Sequence, residues 1–267
     1  MKFLSTLAAA FMALRATTAV DATEHVERGL ILGGTTVPIG KKLYTGGIRY
    51  ASGNISFCGC VLISPIHVLT VTVCANPLDA KFVALGTHYN IGNRDGEELR
   101  VISAQNHTQY NPISGSFDFA ILTLERPSKF AFDSIKLPKR DDSDIVVGMQ
   151  ATDMGWGVTK DPEDIPSYEL QSVSLPVWSN ADCLPILIVD HTSVCAGGEA
   201  GKDTCWGDHG GPLIVEHGAG DADDVLIGLS SWGLGICGTK GQPSAYSRVS
   251  AALPWIYSVT KGQKTRQ

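Results

Sequence analysis

The sequence of 267 residues lacks, beyond residues 1–22, any apolar run approaching the ~20 residues a bilayer-spanning helix requires. No membrane partner is expected. It lacks a His-x-x-x-His pair and any Cys/His cluster at ligand spacing, so neither a metal nor a cofactor is expected. It lacks a basic excess: 21 Lys and Arg against 27 Asp and Glu leave a formal net charge of -6, which argues against a nucleic-acid or heparin partner. No internal repeat or low-complexity tract is present, and helical periodicity is missing until Val249 to Thr260.

Residues 1–22 read as a secretory signal. Lys2 supplies the positive start, Phe3 to Leu14 is mostly apolar, and Ala19 and Ala22 offer small-residue cleavage sites; a soluble amphipathic helix is the alternative. Seven cysteines behind such a signal imply an oxidising destination, and the odd count leaves one thiol unpaired or bonded to another chain. Given export, Asn54-Ile55-Ser56 and Asn106-His107-Thr108 become candidate glycosylation sites at Asn54 and Asn106.

Short β-branched segments, among them Cys60 to Leu69, Lys81 to Leu85, Ala120 to Leu124, Val173 to Val177 and Val225 to Ile227, alternate with Gly, Pro, Asn and Asp clusters. That spacing predicts an all-β sandwich or barrel, with a short C-terminal helix over 249–260 in which Pro254 sits near the start. The polar run Lys139 to Asp144 is either a linker between two strand-rich halves or a solvated loop.

Several blocks occur in an order that resembles the trypsin-like serine proteases over Ile31 to about Thr260. They are Phe57-Cys58-Gly59-Cys60, Asp118-Phe119-Ala120-Ile121-Leu122, Met154-Gly155-Trp156-Gly157, Val194-Cys195-Ala196-Gly197-Gly198, Gly201-Lys202-Asp203-Thr204-Cys205 and Ser231-Trp232-Gly233. The resemblance implies two packed antiparallel β-barrels, at about 31–138 and 145–248, with a cleft between them. It divides the chain into a signal (1–22), a short pro-like segment (23–30) and one peptidase-like domain (31–267).

Acyl transfer in that family needs a hydroxyl nucleophile, an imidazole base and a carboxylate that orients the imidazole. In Gly207-Asp208-His209-Gly210-Gly211-Pro212-Leu213 the nucleophile's position matches His209, and in Val68-Leu69-Thr70-Val71-Thr72-Val73-Cys74 the base's position matches Val73. Only the carboxylate, Asp118, remains. Losing nucleophile or base costs on the order of 10⁶ in turnover, so no protease activity is expected. His67, six residues before Val73 and expected in the same strand, would lie about 20 Å from the vacated place and cannot substitute. A buried Asp118 without its histidine needs other donors, either His209 leaning into the volume left by Val73 or neighbouring hydroxyl and backbone groups.

The resemblance places Asp203 at the base of the primary specificity pocket and Gly233 on its wall, while Ser244 stands where glycine is usual and should narrow the pocket. Trp206 at the mouth is either an exposed interface anchor or packing over the Cys205 bridge. A mature N-terminus at Ile31 would pair with Asp208, but the nearest basic residue is Arg28, and cleavage there would leave Gly29-Leu30 in front of it. The family's pairings carry over as Cys58 with Cys74, Cys183 with Cys195, and Cys205 with Cys237. Cys60 is left as a buried hydrophobe, a competitor for Cys74 or an intermolecular link.

More narrowly, Ile31-Leu32-Gly33-Gly34-Thr35-Thr36-Val37-Pro38, Val101 to Thr108 and Lys136 to Asp144 are similar to the glucanase inhibitor proteins secreted by oomycete plant pathogens. That resemblance implies a non-proteolytic partner of host endo-β-1,3-glucanases that suppresses release of defence-eliciting oligosaccharides. Alternatives from other classes are a glycan-binding adhesin on the same scaffold and a residual hydrolase.

Overall fold

Burial alternates along Gln171–Trp178, where successive side chains point inward and outward, whereas strands such as Ser193–Gly197 and Pro212–Val215 are buried throughout. The computed structural model describes residues 32–131, 135–159, 165–218 and 220–261. The expected signal, the pro-like segment and Ile31 lie outside the described residues.

Two closed antiparallel barrels result. The first comprises β2 (Thr45–Arg49), β3 (Ser56–Ser64), β4 (His67–Thr70), β5 (Phe82–Leu85), β6 (Glu97–Asn106) and β7 (Ala120–Leu124), closing in the order β2-β3-β4-β7-β6-β5. The second comprises β8 (Gln150–Gly155), β9 (Gln171–Trp178), β10 (Ser193–Gly197), β11 (Pro212–Val215), β12 (Val225–Trp232) and β13 (Pro243–Arg248), closed by β8 on β9. A two-residue strand, β1 (Thr35–Thr36), pairs with β9, so the N-terminal end of the first half is stitched to the second barrel. Helix α1 (Asn180–Cys183) is a single turn capped by Ser179, and α2 (Val249–Val259) packs Trp255 on His107 at a ring separation of 4.8 Å.

Leu62, Leu69, Leu85, Leu99 and Ile121 fill the first barrel and Leu175, Leu213 and Ile227 the second, each contributing roughly 1.5–3 kcal/mol on burial. The barrels approach closely at Gly59. Its N–H donates to the His209 carbonyl at 2.7 Å, and a Cβ there would stand 2.7 Å from the Cα of Gly211, a contact only glycine permits.

Long-range polar contacts reinforce the frame. The Lys42 ammonium, largely buried, lies 2.7 Å from Asp224 and 2.5 Å from Glu216, and the Tyr44 hydroxyl donates to the same Asp224 oxygen at 2.5 Å. The fully buried Arg49 guanidinium donates to the carbonyls of Gly92 and Asn90, to Asn93 and to Glu98, holding the loop before β6.

Three expectations need correction. Cys60 to Leu69 is not one strand: Pro65 and Ile66 turn the chain between β3 and β4, as a proline without a ladder donor favours. His67 and Val73 do not share a strand, because β4 ends at Thr70 and Val73 sits in a 3₁₀ turn over Thr72–Ala75. Pro254 is interior to α2, where its missing N–H leaves the Ser250 carbonyl without an intrahelical donor.

Candidate functional site

The cleft between the barrels is built from four segments. The first is the 3₁₀ turn 72–75, held by the Cys74 N–H donating to the Val71 carbonyl at 3.1 Å and tied to β3 by the Cys58–Cys74 disulfide. It presents Val73 at the surface, 67% exposed.

The second segment carries Asp118. Phe117 before it adopts φ 52°, a left-handed conformation costly for a residue with a side chain, and its ring is stacked flat on His107 at 4.5 Å. The turn aims the buried Asp118 carboxylate at Thr72, whose N–H donates to Oδ1 at 2.8 Å, and at Ser231, whose hydroxyl donates to Oδ2 at 2.7 Å. Asp118 is therefore satisfied by a backbone group and a neighbouring hydroxyl, not by His209. In the sequence Ser231 stands only within the Ser231-Trp232-Gly233 block, and its hydroxyl acquires a role once β12 runs past Asp118.

The third segment is the loop 203–211, organised by Asp208. Its wholly buried carboxylate accepts from the N–H of Gly157 at 2.7 Å and of Cys205 at 2.9 Å. A Cβ at Gly157 would collide with this carboxylate, which accounts for the glycine. Burial is the main cause that pushes the Asp208 carboxyl up to about 7, and the charge of Asp203 adds to it. Asp153 on β8, also wholly buried, makes no hydrogen bond of ordinary geometry, and burial followed by repulsion from Asp208 and Asp203 raises its carboxyl well above the usual range. Asp153 is not legible as a site residue from sequence, since one acid in a strand carries no local sign of burial.

His209 lies beside Trp206. Its ring stands edge-on to Trp206 at 6.3 Å, and its Nδ1 has no hydrogen-bond partner. Trp206, next to the Cys205–Cys237 bridge in sequence, is 59% exposed. His67 is remote from this arrangement: it is buried at the β3–β4 turn with Nδ1 2.7 Å from the Ser64 hydroxyl.

The fourth segment runs from β12 through Gly233 to Cys237 and, with β13, encloses a cavity of about 130 Å³ lined by Trp206, His209, Trp232, Leu234 and, at its base, Asp203 and Ser244. The Ser244 hydroxyl donates to Asp203 Oδ1 at 2.8 Å, the Gly238 N–H donates to Oδ2 at 3.0 Å, and burial raises the Asp203 carboxyl. A Cβ at Gly233 would fall 3.0 Å from Ser244 Oγ, so the hydroxyl reaches from one wall toward the other.

The remaining sites separate from the cleft. Disulfides join Cys58 with Cys74, Cys183 with Cys195 and Cys205 with Cys237, while Cys60 is a buried free thiol whose ionisation burial disfavours. Asn54 and Asn106 are exposed. Among the described residues no group of His, Cys, Asp and Glu is arranged to hold a metal, and no helix is long and apolar enough to cross a membrane.

Residues 31–256 match the family model described as Trypsin. The chain is 57% identical to glucanase inhibitor protein 1 of Phytophthora infestans over 264 residues, covering 99% of this chain and 100% of that one. It is 54% identical to glucanase inhibitor protein 2 of Phytophthora sojae over 267 residues, 100% of this chain and 91% of the relative. Glucanase inhibitor protein 3 of the Phytophthora sojae strain P6497 is 56% identical over 266 residues. Such kinship is consistent with a trypsin-like domain that is not an enzyme.

Proposed function

The chain belongs to the trypsin family and, within it, to the glucanase inhibitor proteins, and from that kinship we propose that it is a secreted, proteolytically inactive protein that binds and inhibits plant endo-β-1,3-glucanases. The observation that carries this reading is identity of more than half over essentially the whole length of relatives bearing that name. Inhibition of the glucanase suppresses release of defence-eliciting glucan oligosaccharides.

The chemistry of the cleft supports it. His209 replaces the nucleophile and Val73 the general base, leaving Asp118 alone of the three. An exposed isopropyl group cannot accept a proton, and His209 has no base beside it to activate it as a nucleophile. A scaffold that retains its cleft and three disulfides without its chemistry serves by binding. Residues 1–22 direct export and 23–30 form a short pro-like segment ahead of the domain 31–267. Three disulfides suit an oxidising, extracellular destination in the host apoplast.

The test is capture of apoplastic plant proteins on the purified chain, followed by a laminarin hydrolysis assay on the retained glucanase with and without added protein. A stoichiometric fall in hydrolysis is expected. Full glucanase activity at saturating protein overturns the reading.

A further inference from the structure

The mouth of the cavity at the base of the cleft combines three properties. It is ringed by apolar side chains that a solitary soluble protein has no reason to display together: Trp206 at 59%, Leu234 at 51% and Ile236 at 62% exposure. Trp206 and Ile236 adjoin the two halves of the Cys205–Cys237 disulfide and Leu234 lines the opening, so these residues form one patch. Val73 extends it across the cleft, since Cys74 Sγ beside it stands 3.5 Å from the His209 carbonyl oxygen.

The second property is the state of the cavity's only carboxylate. Each oxygen of Asp203 already accepts an internal hydrogen bond, from Ser244 and from the Gly238 N–H. The third is shape. Ser244 Oγ lies 2.8 Å from Asp203 and close to the Gly233 wall, so the shaft is shortened above the acid. The Ser244 hydroxyl engages one Asp203 oxygen and the Gly238 N–H the other, so a long cationic side chain entering the shaft would give up its hydration for a weakened ion pair with a carboxylate already engaged. An uncharged side chain loses far less. The volume of about 130 Å³ suits one such group.

We propose that this mouth is the surface that grips the partner glucanase, with the apolar rim seated on a protruding loop of that enzyme and the cavity taking one uncharged side chain from the loop. The inference rests on the inhibitor reading above. It also assigns the cavity a ligand class opposite to the cation that a buried carboxylate at its base would by itself suggest. The chemistry of the mouth selects the occupant: an uncharged loop against an apolar rim and a carboxylate whose two oxygens are already hydrogen-bonded. An exposed tryptophan beside a pocket is the kind of residue that dominates a protein interface.

Two measurements test it. In the first, benzamidine and its uncharged analogue benzamide are titrated into the protein by ligand-observed NMR. Benzamide should bind the wild type at least as tightly as benzamidine, and Ser244→Gly should reverse that order by about tenfold or more as Asp203 is uncovered. Tighter binding of benzamidine to the wild type, unaffected by Ser244→Gly, overturns the cavity assignment whether or not a glucanase is inhibited.

In the second, affinity for a plant endo-β-1,3-glucanase is measured for the wild type, Trp206→Ala, Leu234→Asp and the exposed control Val146→Asp, each checked for an unchanged thermal midpoint. The two rim variants should weaken binding tenfold or more while the control does not. Wild-type inhibition with unchanged affinity in both rim variants removes the mouth as the gripping surface and leaves the inhibitor reading intact. Absence of wild-type inhibition removes the inhibitor reading, and the proposed partner with it. Saturable binding of a β-1,3-glucan oligosaccharide, competed by benzamide without any glucanase present, makes the glucan the occupant and overturns the proposal.

Discussion

The hydroxyl of Ser231 donates to Asp118 Oδ2 at 2.7 Å, while the Thr72 N–H donates to Oδ1 at 2.8 Å, so this buried carboxylate in the cleft is held from both sides and, on the proposed reading, is the one member of a catalytic triad still in place. Restoring the two absent groups should therefore restore chemistry. The double variant Val73→His, His209→Ser is expected to hydrolyse p-nitrophenyl acetate measurably above background and to react with a fluorophosphonate probe. Each single variant should stay at background, because nucleophile and base act as a unit. Detectable labelling of the wild type would show that the centre is not inert.

Ser231→Ala removes one of the two donors to a buried carboxylate. A loss of about 1–3 kcal/mol in unfolding free energy is expected, read from urea titration. No loss would mean that water or another side chain replaces the hydroxyl.

The buried acids Asp153 and Asp208 make stability depend on pH. Their folded carboxyls titrate above the ordinary aspartate value of 3.8, with Asp208 at about 7, so the folded state holds protons that the unfolded chain releases. The associated stability is fully present below the unfolded value and is lost as pH rises through about 7. Urea midpoints should accordingly fall between pH 5 and pH 8. Asp153→Asn should flatten that decline and raise the midpoint at pH 8. A midpoint that climbs over the same range would contradict this assignment.

Lys42 presents the opposite situation, a cation whose removal strands acids. Burial alone would depress its pKa, yet hydrogen bonds from its ammonium to Asp224 and Glu216 outweigh that and raise it. Lys42→Met should destabilise by about 3–5 kcal/mol, since the buried Asp224 keeps the Tyr44 hydroxyl but loses its only cation among the described residues. Lys42→Met combined with Asp224→Asn should recover part of the loss, which a double-mutant cycle measures.

Local patterns made much of this molecule legible. Alternation in Val173 to Val177 and the apolar run Ala120 to Leu124 fall inside β9 and β7, and the Gly155-Trp156-Gly157 block stands where the Asp208 carboxylate leaves no room for side chains. Contacts between distant positions were not legible. Lys42 meets Glu216 across 174 residues and Ser231 meets Asp118 across 113, and no periodicity records such meetings. Ser244 was legible as a narrowing of the cavity, whereas its bond to Asp203 needed the strand register of β10 on β13. The Cys60 to Leu69 run misled because two adjoining strands of one hairpin share a composition and only Pro65 marks the break.

The halves of the chain have traded their ends: Thr35 and Thr36 lie on β9 of the second barrel, while Trp255 of the last helix rests on His107 of the first. A cut anywhere in 139–144 would consequently yield two fragments that still co-purify, each clasping an extremity of the other. Shuffling whole barrels between homologous inhibitors would sever both clasps at once. Change is left to the loops, which can vary without unfastening the body.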